Sequence, residues 1–226
     1  MNQSVSATKS KRLIDVSHTV EHGMVTYKGM PGPVITDYRS RESSKEFYAP
    51  GTEFHIGRIE MVANTGTYVD APFHRFPKGK DLSELPLDAL ADLPGVRITA
   101  DRDRAVDVEA LKGRELAGGA VLVHTGWSRY WLSEHYFEAP PFLTTEAAEF
   151  LAESGVALVG IDSMNIDDIH DKSRPVHTIL LQANIPIVEH LTNLGELPAD
   201  GFRFFAVPVK VKSFGSFPVR AFAITS

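Results

Sequence analysis

The chain contains no cysteine. That excludes disulfides, thiolate metal ligands and a cysteine nucleophile together, and leaves histidine, aspartate and glutamate as the side chains able to hold a metal ion. Long apolar runs are missing too, since no stretch approaches the ~18 residues that span a bilayer. The opening segment MNQSVSATKSKRL lacks the apolar core of a secretory signal and is expected to be a frayed tail over 1–11. With no signal and no cysteine, a cytoplasmic setting is expected. A basic stripe is absent as well. The formal charge is −6, and RDRAVD (102–107) and SRESSKE (40–46) mix both signs, so the electrostatic footprint of a nucleic-acid binder is lacking.

What is present describes an ordinary globular chain. Its 226 residues are 43% hydrophobic and 23% charged, enough to bury a substantial core. KRLIDVSHTV (11–20) alternates apolar and polar as a strand does, then runs into a Gly/Pro-rich excursion, HGMVTYKGMPGPV. EFHIGRIEMVA (53–63) has period two. Strands are expected at VRITA (96–100), AVLVHTG (120–126), VALVGIDS (156–163), IPIVEHL (185–191), FRFFAVPVK (202–210) and SFPVRAFAIT (216–225). TTEAAEFLAESG (144–155) reads as a helix with a threonine cap and Gly155 as its stop, and HTILLQAN (177–184) as a shorter one ended by Asn184 and Pro186. Strands dominate with about three helices interleaved, so the expected fold is one α/β domain over 12–226 with a mixed sheet and flanking helices.

The chemistry concentrates in two places. NTGTYVDAPFH (64–74) sets Asp70 and His74 around Pro72, and SRPVH with IPIVE sets His177 and Glu189. Asp70 could be a helix cap, a metal ligand, or both on its two oxygens. Glu189 follows the apolar IPIV, and a buried carboxylate needs a partner or a metal. Carboxylates and imidazoles without thiols suit Zn²⁺ or Mn²⁺. Spacing alone does not bring residue 70 near residue 189. His18 and His22 are assigned to loop or pocket walls, His55 to a packed or solvent-facing strand position, and His124 to structure. Ser128 lies in no nucleophile elbow, and Trp127, Tyr130 and Trp131 read as core or subunit contacts. Asp162 in GIDS ends a strand.

NTGTYVDAPFH resembles the signature His-x-Gly-Thr-His-x-Asp-Ala-Pro-x-His of the cyclase family of hydrolases, which includes bacterial kynurenine formamidase and isatin hydrolase. LIDVSHTVEHGMVTY, VLVHTGWSRYW, GIDSMNID, HTILLQANIPIVEHLTNL and GSFPVRAFAI resemble further blocks of that family in the same order, covering about 12–224. The resemblance implies a swivelling β/β/α fold and hydrolysis of a C–N or C–O acyl bond in an aryl formamide, cyclic amide or lactone. It implies Asp70, His177 and Glu189 as metal ligands and His74 as the proton shuttle. It also implies a substrate pocket near Tyr27, and a homodimer or homotetramer. Two signature histidines are Asn64 and Tyr68 here, so one divalent ion is implied rather than two, with Tyr68 available as a hydrogen-bond donor and Asn64 facing substrate. A silent member that binds a small aromatic or carboxylate ligand, and a metal-independent lyase or isomerase using His74 and Tyr68, are the alternatives.

Overall fold

The computed structural model describes residues 11–100 and 103–225; the expected tail thus lies almost wholly outside the described residues. The first half supplies β1 (Arg12–Asp15), β2 (Val34–Arg39), α1 (Arg41–Ser44), β3 (Ile56–Glu60), β4 (Tyr68–Asp70), β5 (Leu93–Thr99) and β6 (Ala105–Val106). The second supplies β7 (Ala120–His124), β8 (Phe142–Leu143), α2 (Thr145–Glu153), β9 (Leu158–Ile161), α3 (Pro175–Gln182), β10 (Ile187–Glu189), β11 (Phe202–Phe205), β12 (Ser216–Pro218) and β13 (Phe222–Thr225). Nine strands form one mixed sheet in the order β1-β13-β11-β5-β7-β9-β10-β4-β12, parallel across β5-β7-β9-β10 and antiparallel elsewhere.

The sheet curls until its edges meet. β12 lies at one end of the order and β13 next to the other, yet only Val219–Ala221 separate them. Val16 donates to the Ala221 carbonyl and Val219 to the Thr67 carbonyl, which sews the two ends together. The expected single strand SFPVRAFAIT is therefore two, because the chain must turn here to cross from one edge to the other.

Strand alternation sorts side chains into two cores. Val69, Leu122, Leu158, Val188, Phe202 and Phe204 fill the inside of the curl. Val121, Val123, Val159, Ile161 and Ile187 point outward and are covered by Ala148 and Leu151 of α2 and Val176, Leu180 and Leu181 of α3. Helix α2 starts and stops as the sequence predicts: the Thr144 hydroxyl accepts from the Ala147 amide at 3.2 Å, and Gly155 takes φ +67° beyond its end. Helix α3 begins at Pro175, two residues earlier than predicted, with proline where no amide donor is needed.

The Gly/Pro-rich excursion is irregular, as its composition implies, and leads into β2, which pairs with β3 in a two-stranded antiparallel ribbon apart from the main sheet. Its strands are exposed on both faces, so no core imposes the alternation that would have marked β2.

Candidate active site

Three adjacent strands and one helix build the site. In the register of β4 with its neighbours, Tyr68 lies opposite Glu189 and Asp70 opposite Ser216. Period two then puts Tyr68 and Asp70 on the same face, with Val69 turned into the inner core. That outer face is the one α3 covers, and His177 sits in its first turn.

The carboxylate of Asp70 is fully buried. Its Oδ1 accepts from the Ser216 hydroxyl, while its Oδ2 has no hydrogen-bond partner among the described residues. Opposite that bare oxygen, at 3.6 Å, stands Nε2 of His177. The imidazole is oriented from behind: Asp167 Oδ2 meets His177 Nδ1 at 2.5 Å, and the same carboxylate caps α3 through the amides of Val176 (2.7 Å) and His177 (3.2 Å). Glu189 Oε1 lies 3.7 Å from His177 Nε2 and accepts from the Ile166 amide at 2.7 Å. Its Oε2 accepts from the Tyr68 hydroxyl, which lies 2.7 Å from the Tyr27 hydroxyl. His74 ends a one-turn helix, Pro72–His74, and its Nδ1 is 2.9 Å from Ser216 Oγ and 3.6 Å from Asp70 Oδ1. Gly215 makes this turn possible, since a Cβ there would sit 2.6 Å from the His74 Cα.

Electrostatics follow from burial. Desolvation opposes charge on His177, but Glu189, Asp167 and Asp70 outweigh it and hold the imidazole pKa up at about 10. Burial pushes the Glu189 carboxyl up, with the charge of His177 pulling the other way. Burial and then the Glu189 charge push the Tyr68 phenol well above its ordinary range, so it stays protonated and is a donor rather than a phenolate ligand.

The predicted residues converge. Tyr27, Asn64, Tyr68, His74, His177 and Glu189 all line one cavity of about 280 Å³, and Asp70 is buried behind it, 3.6 Å from His177. Donor atoms of Asp70, His74 and His177 fall within 4.8 Å of one another. The cap reading of Asp70 is not realised: the cap position is Ala71, with no side-chain bond, and Asp70 closes β4. A bare buried carboxylate oxygen facing a ring nitrogen whose other nitrogen is fixed by aspartate is the donor arrangement that a divalent cation fits. Asn64 and the protonated Tyr68 do not furnish a second such position.

A sequence model of the Cyclase family matches residues 14–168. The chain belongs to that family. Among curated relatives, a kynurenine formamidase of Geobacillus thermodenitrificans is 29% identical over 210 residues, covering 92% of this chain and 95% of its own. Isatin hydrolase A of Labrenzia aggregata, solved bound to benzyl benzoate, superposes with a TM-score of 0.79 at 24% identity, covering 95% of this chain and 94% of that one. A structure described as a predicted metal-dependent hydrolase from Bacillus stearothermophilus gives 0.74 at 25% identity, with 96% and 100% covered. The curled mixed sheet with few helices is thus the fold of solved cyclase-family proteins.

Within this cyclase-family site, four residues were not singled out by sequence reasoning. Ser216 touches both Asp70 and His74 but lies 146 residues from Asp70. Asp167 holds His177, yet in GIDSMNID the eye goes to Asp162, which instead binds the Thr125 hydroxyl (2.6 Å) and the Gly126 amide (2.8 Å) at the far end of β7. Arg75 and Arg174 line the same cavity. His18 is stacked on Trp131 at 4.1 Å and does not line the cavity, while His55 pairs with Asp37 on the exposed ribbon at 2.8 Å.

Behind Glu189, His190 is buried, with Nδ1 2.9 Å from the Tyr136 hydroxyl. Burial lowers its pKa from 6.5 to about 3, and that of His18 to about 4. Above pH 6.5 neither the folded nor the unfolded chain protonates these rings, so their contribution is intact. As pH falls from 6.5 towards 4 the unfolded chain binds protons that the folded one refuses, and stability drops. His190→Asn, with asparagine suited to the φ of +55°, is expected to flatten this decline in melting temperature by about 5 °C between pH 6.5 and 4. An unchanged slope in calorimetric melts would show that His190 does not drive it.

Proposed function

We propose that the chain is a metal-dependent hydrolase that opens a C–N or C–O acyl bond of a small aryl formamide, cyclic amide or lactone. The observation that carries this reading is the bare, buried Oδ2 of Asp70 facing His177 Nε2 across 3.6 Å beside a cavity that also holds His74. Membership of the cyclase family and the formamidase relatives support the reaction class. Asp70, His177 and Glu189 would hold one divalent ion, Zn²⁺ or Mn²⁺, their nitrogen and oxygen donors suiting either. When bound, that ion supplies Lewis acidity, which acidifies water and polarises the acyl carbonyl.

The chain's own groups do the rest. Asp167 fixes the His177 tautomer and orientation. The Tyr68 hydroxyl holds one oxygen of Glu189 while the Ile166 amide holds the other, and Tyr27 closes that wall. Asn64 presents an amide to the substrate. His74, fastened through Nδ1 to Ser216, keeps Nε2 without a protein partner among the described residues and passes a proton to the leaving nitrogen as water adds to the carbonyl carbon and the C–N bond breaks. A metal-free lyase or isomerase would need Tyr68 free to reach substrate, and its hydroxyl is committed to Glu189.

The assembly belongs to the same reading. Ile35, Tyr38, Ile56 and Ile59 are exposed on the β2–β3 ribbon, Tyr38 at 71%, apolar area that a homodimer or homotetramer would cover. No helix among the described residues is long and apolar enough to cross a membrane, in keeping with a cytoplasmic enzyme acting on a diffusible molecule. Plasma mass spectrometry of the purified protein is expected to find about one Zn or Mn per chain, with formanilide hydrolysis lost to chelator and restored by either ion. Failure of any metal to bind after reloading would overturn the hydrolase reading in favour of a silent binding protein.

A further inference from the structure

The cavity that holds His74 and His177 also carries Arg75 and Arg174, and the chemistry above does not use either. Neither guanidinium makes an ion pair among the described residues. Arg174 is held by neutral acceptors, its Nη1 donating to Asn165 Oδ1 at 3.1 Å and to the Asp168 carbonyl at 3.3 Å. Arg75 donates from Nε to the Thr178 hydroxyl at 3.2 Å. The carboxylate of Asp171 feels the charge of Arg174 but lies beyond ion-pair distance of it. The acidic groups beside the cavity face His177 and pair with neither arginine: Glu189 accepts from Tyr68 and Ile166, and Asp70 accepts from Ser216 with its bare Oδ2 3.6 Å from His177 Nε2.

An arginine anchored by neutral oxygens keeps its charge uncompensated and the rest of its planar fork available, the geometry that recognises carboxylates. The backbone adds a second observation. Arg174 precedes α3 with φ 52° and ψ 58°, a left-handed conformation that glycine or asparagine adopts far more readily. The position tolerates that backbone with an arginine whose head group lies in the cavity wall.

We infer that this cavity selects substrates carrying a carboxylate, with Arg174 as the specificity-determining residue and Arg75, held on Thr178 one turn along α3, assisting. This rests on the hydrolase reading and narrows it: the scissile amide faces His74 and His177, and the carboxylate of the same molecule meets Arg174. Both must fit within about 280 Å³, which suits a single aromatic ring bearing a formamide and an acid group.

The test compares formanilide with its ring-carboxylated derivatives, and in parallel the binding of aminobenzoates with that of aniline by calorimetry. The wild-type protein is expected to prefer the carboxylated member of each pair. In Arg174→Asn, which suits the left-handed backbone, the kcat/KM ratio and the binding ratio should both fall by about 50-fold, the worth of a charge-assisted pair. Arg174→Lys should restore part of the preference, as a point charge without the fork. No preference in the wild type, or a preference that survives in Arg174→Asn, would overturn the inference. If no formamide is cleaved yet the aminobenzoate ratio falls as stated, carboxylate selection stands and the hydrolase reading fails. Cleavage with unchanged ratios means the reverse.

Discussion

Asp70→Asn is expected to lower kcat/KM for an aryl formamide by about 10³-fold, since a divalent ion is worth several kcal/mol of transition-state charge stabilisation. Asparagine keeps the size of the side chain and can still accept from Ser216, so β4, β10 and β12 should stay in register. What is lost is the negative charge and the bare oxygen facing His177. Plasma mass spectrometry should show the ion lost together with activity, and circular dichroism an unchanged fold. A variant that holds its metal and works within about threefold of wild type would remove Asp70 from the ligand set.

Asp167→Ala should destabilise the metal-free protein by about 3–5 kcal/mol at neutral pH, the cost of stripping the partner from a buried charge. One carboxylate here does two jobs, capping α3 at two amides and pairing with the His177 ring. The pH profile separates them. His177 has its folded pKa raised from 6.5 to about 10, so its contribution is complete below pH 6.5 and is lost as pH rises through about 10. The penalty in Asp167→Ala should therefore shrink in urea melts at high pH towards the ~1 kcal/mol of a lost helix cap. Asp167→Asn keeps one acceptor oxygen, enough for either the Val176 amide or the His177 donors but not both, and should cost less than Ala. A penalty that stays constant from pH 6 to pH 10, measured in chelator, would mean that the His177 charge is not what Asp167 stabilises.

How much of this was legible depends on the distance over which each signal acts. Glu189 could be read because IPIV before it announces burial, and α2 because its cap and stop lie within a dozen residues. Asp70 with His74 and His177 with Glu189 stand out locally as two short clusters, but spacing alone does not bring residue 70 near residue 189, and their separate roles come from the family resemblance. That adjacency is a property of strand register, and register is set by pairing among β4, β10 and β12. Ser216 was invisible for the same reason, as an unremarkable serine that becomes part of the site only across a strand pair. Asp167 has no local signal of its own beside Asp162, which five residues earlier ends a conspicuous apolar strand. Arg174 carries no local signal, because its place in the cavity wall depends on how the chain enters α3. In SFPVRAFAIT the apolar content was read correctly, but nothing local says that the two halves of the run belong to opposite edges of a closed curl.

The closure at Val219–Ala221 has a consequence for how the site comes into being. The serine that steadies Asp70 and His74 arrives 146 residues after Asp70, on a strand that lies beside β4 only when the far edge of the sheet has been brought round. A ribosome that has released β4 has still to deliver most of the protein before that partner exists. Loops of this length close slowly and make folding late and non-local. This wall of the cavity is thus among the last parts of the molecule to be completed, and a nascent chain that has its helices and its parallel strands in place still lacks the serine that joins Asp70 to His74.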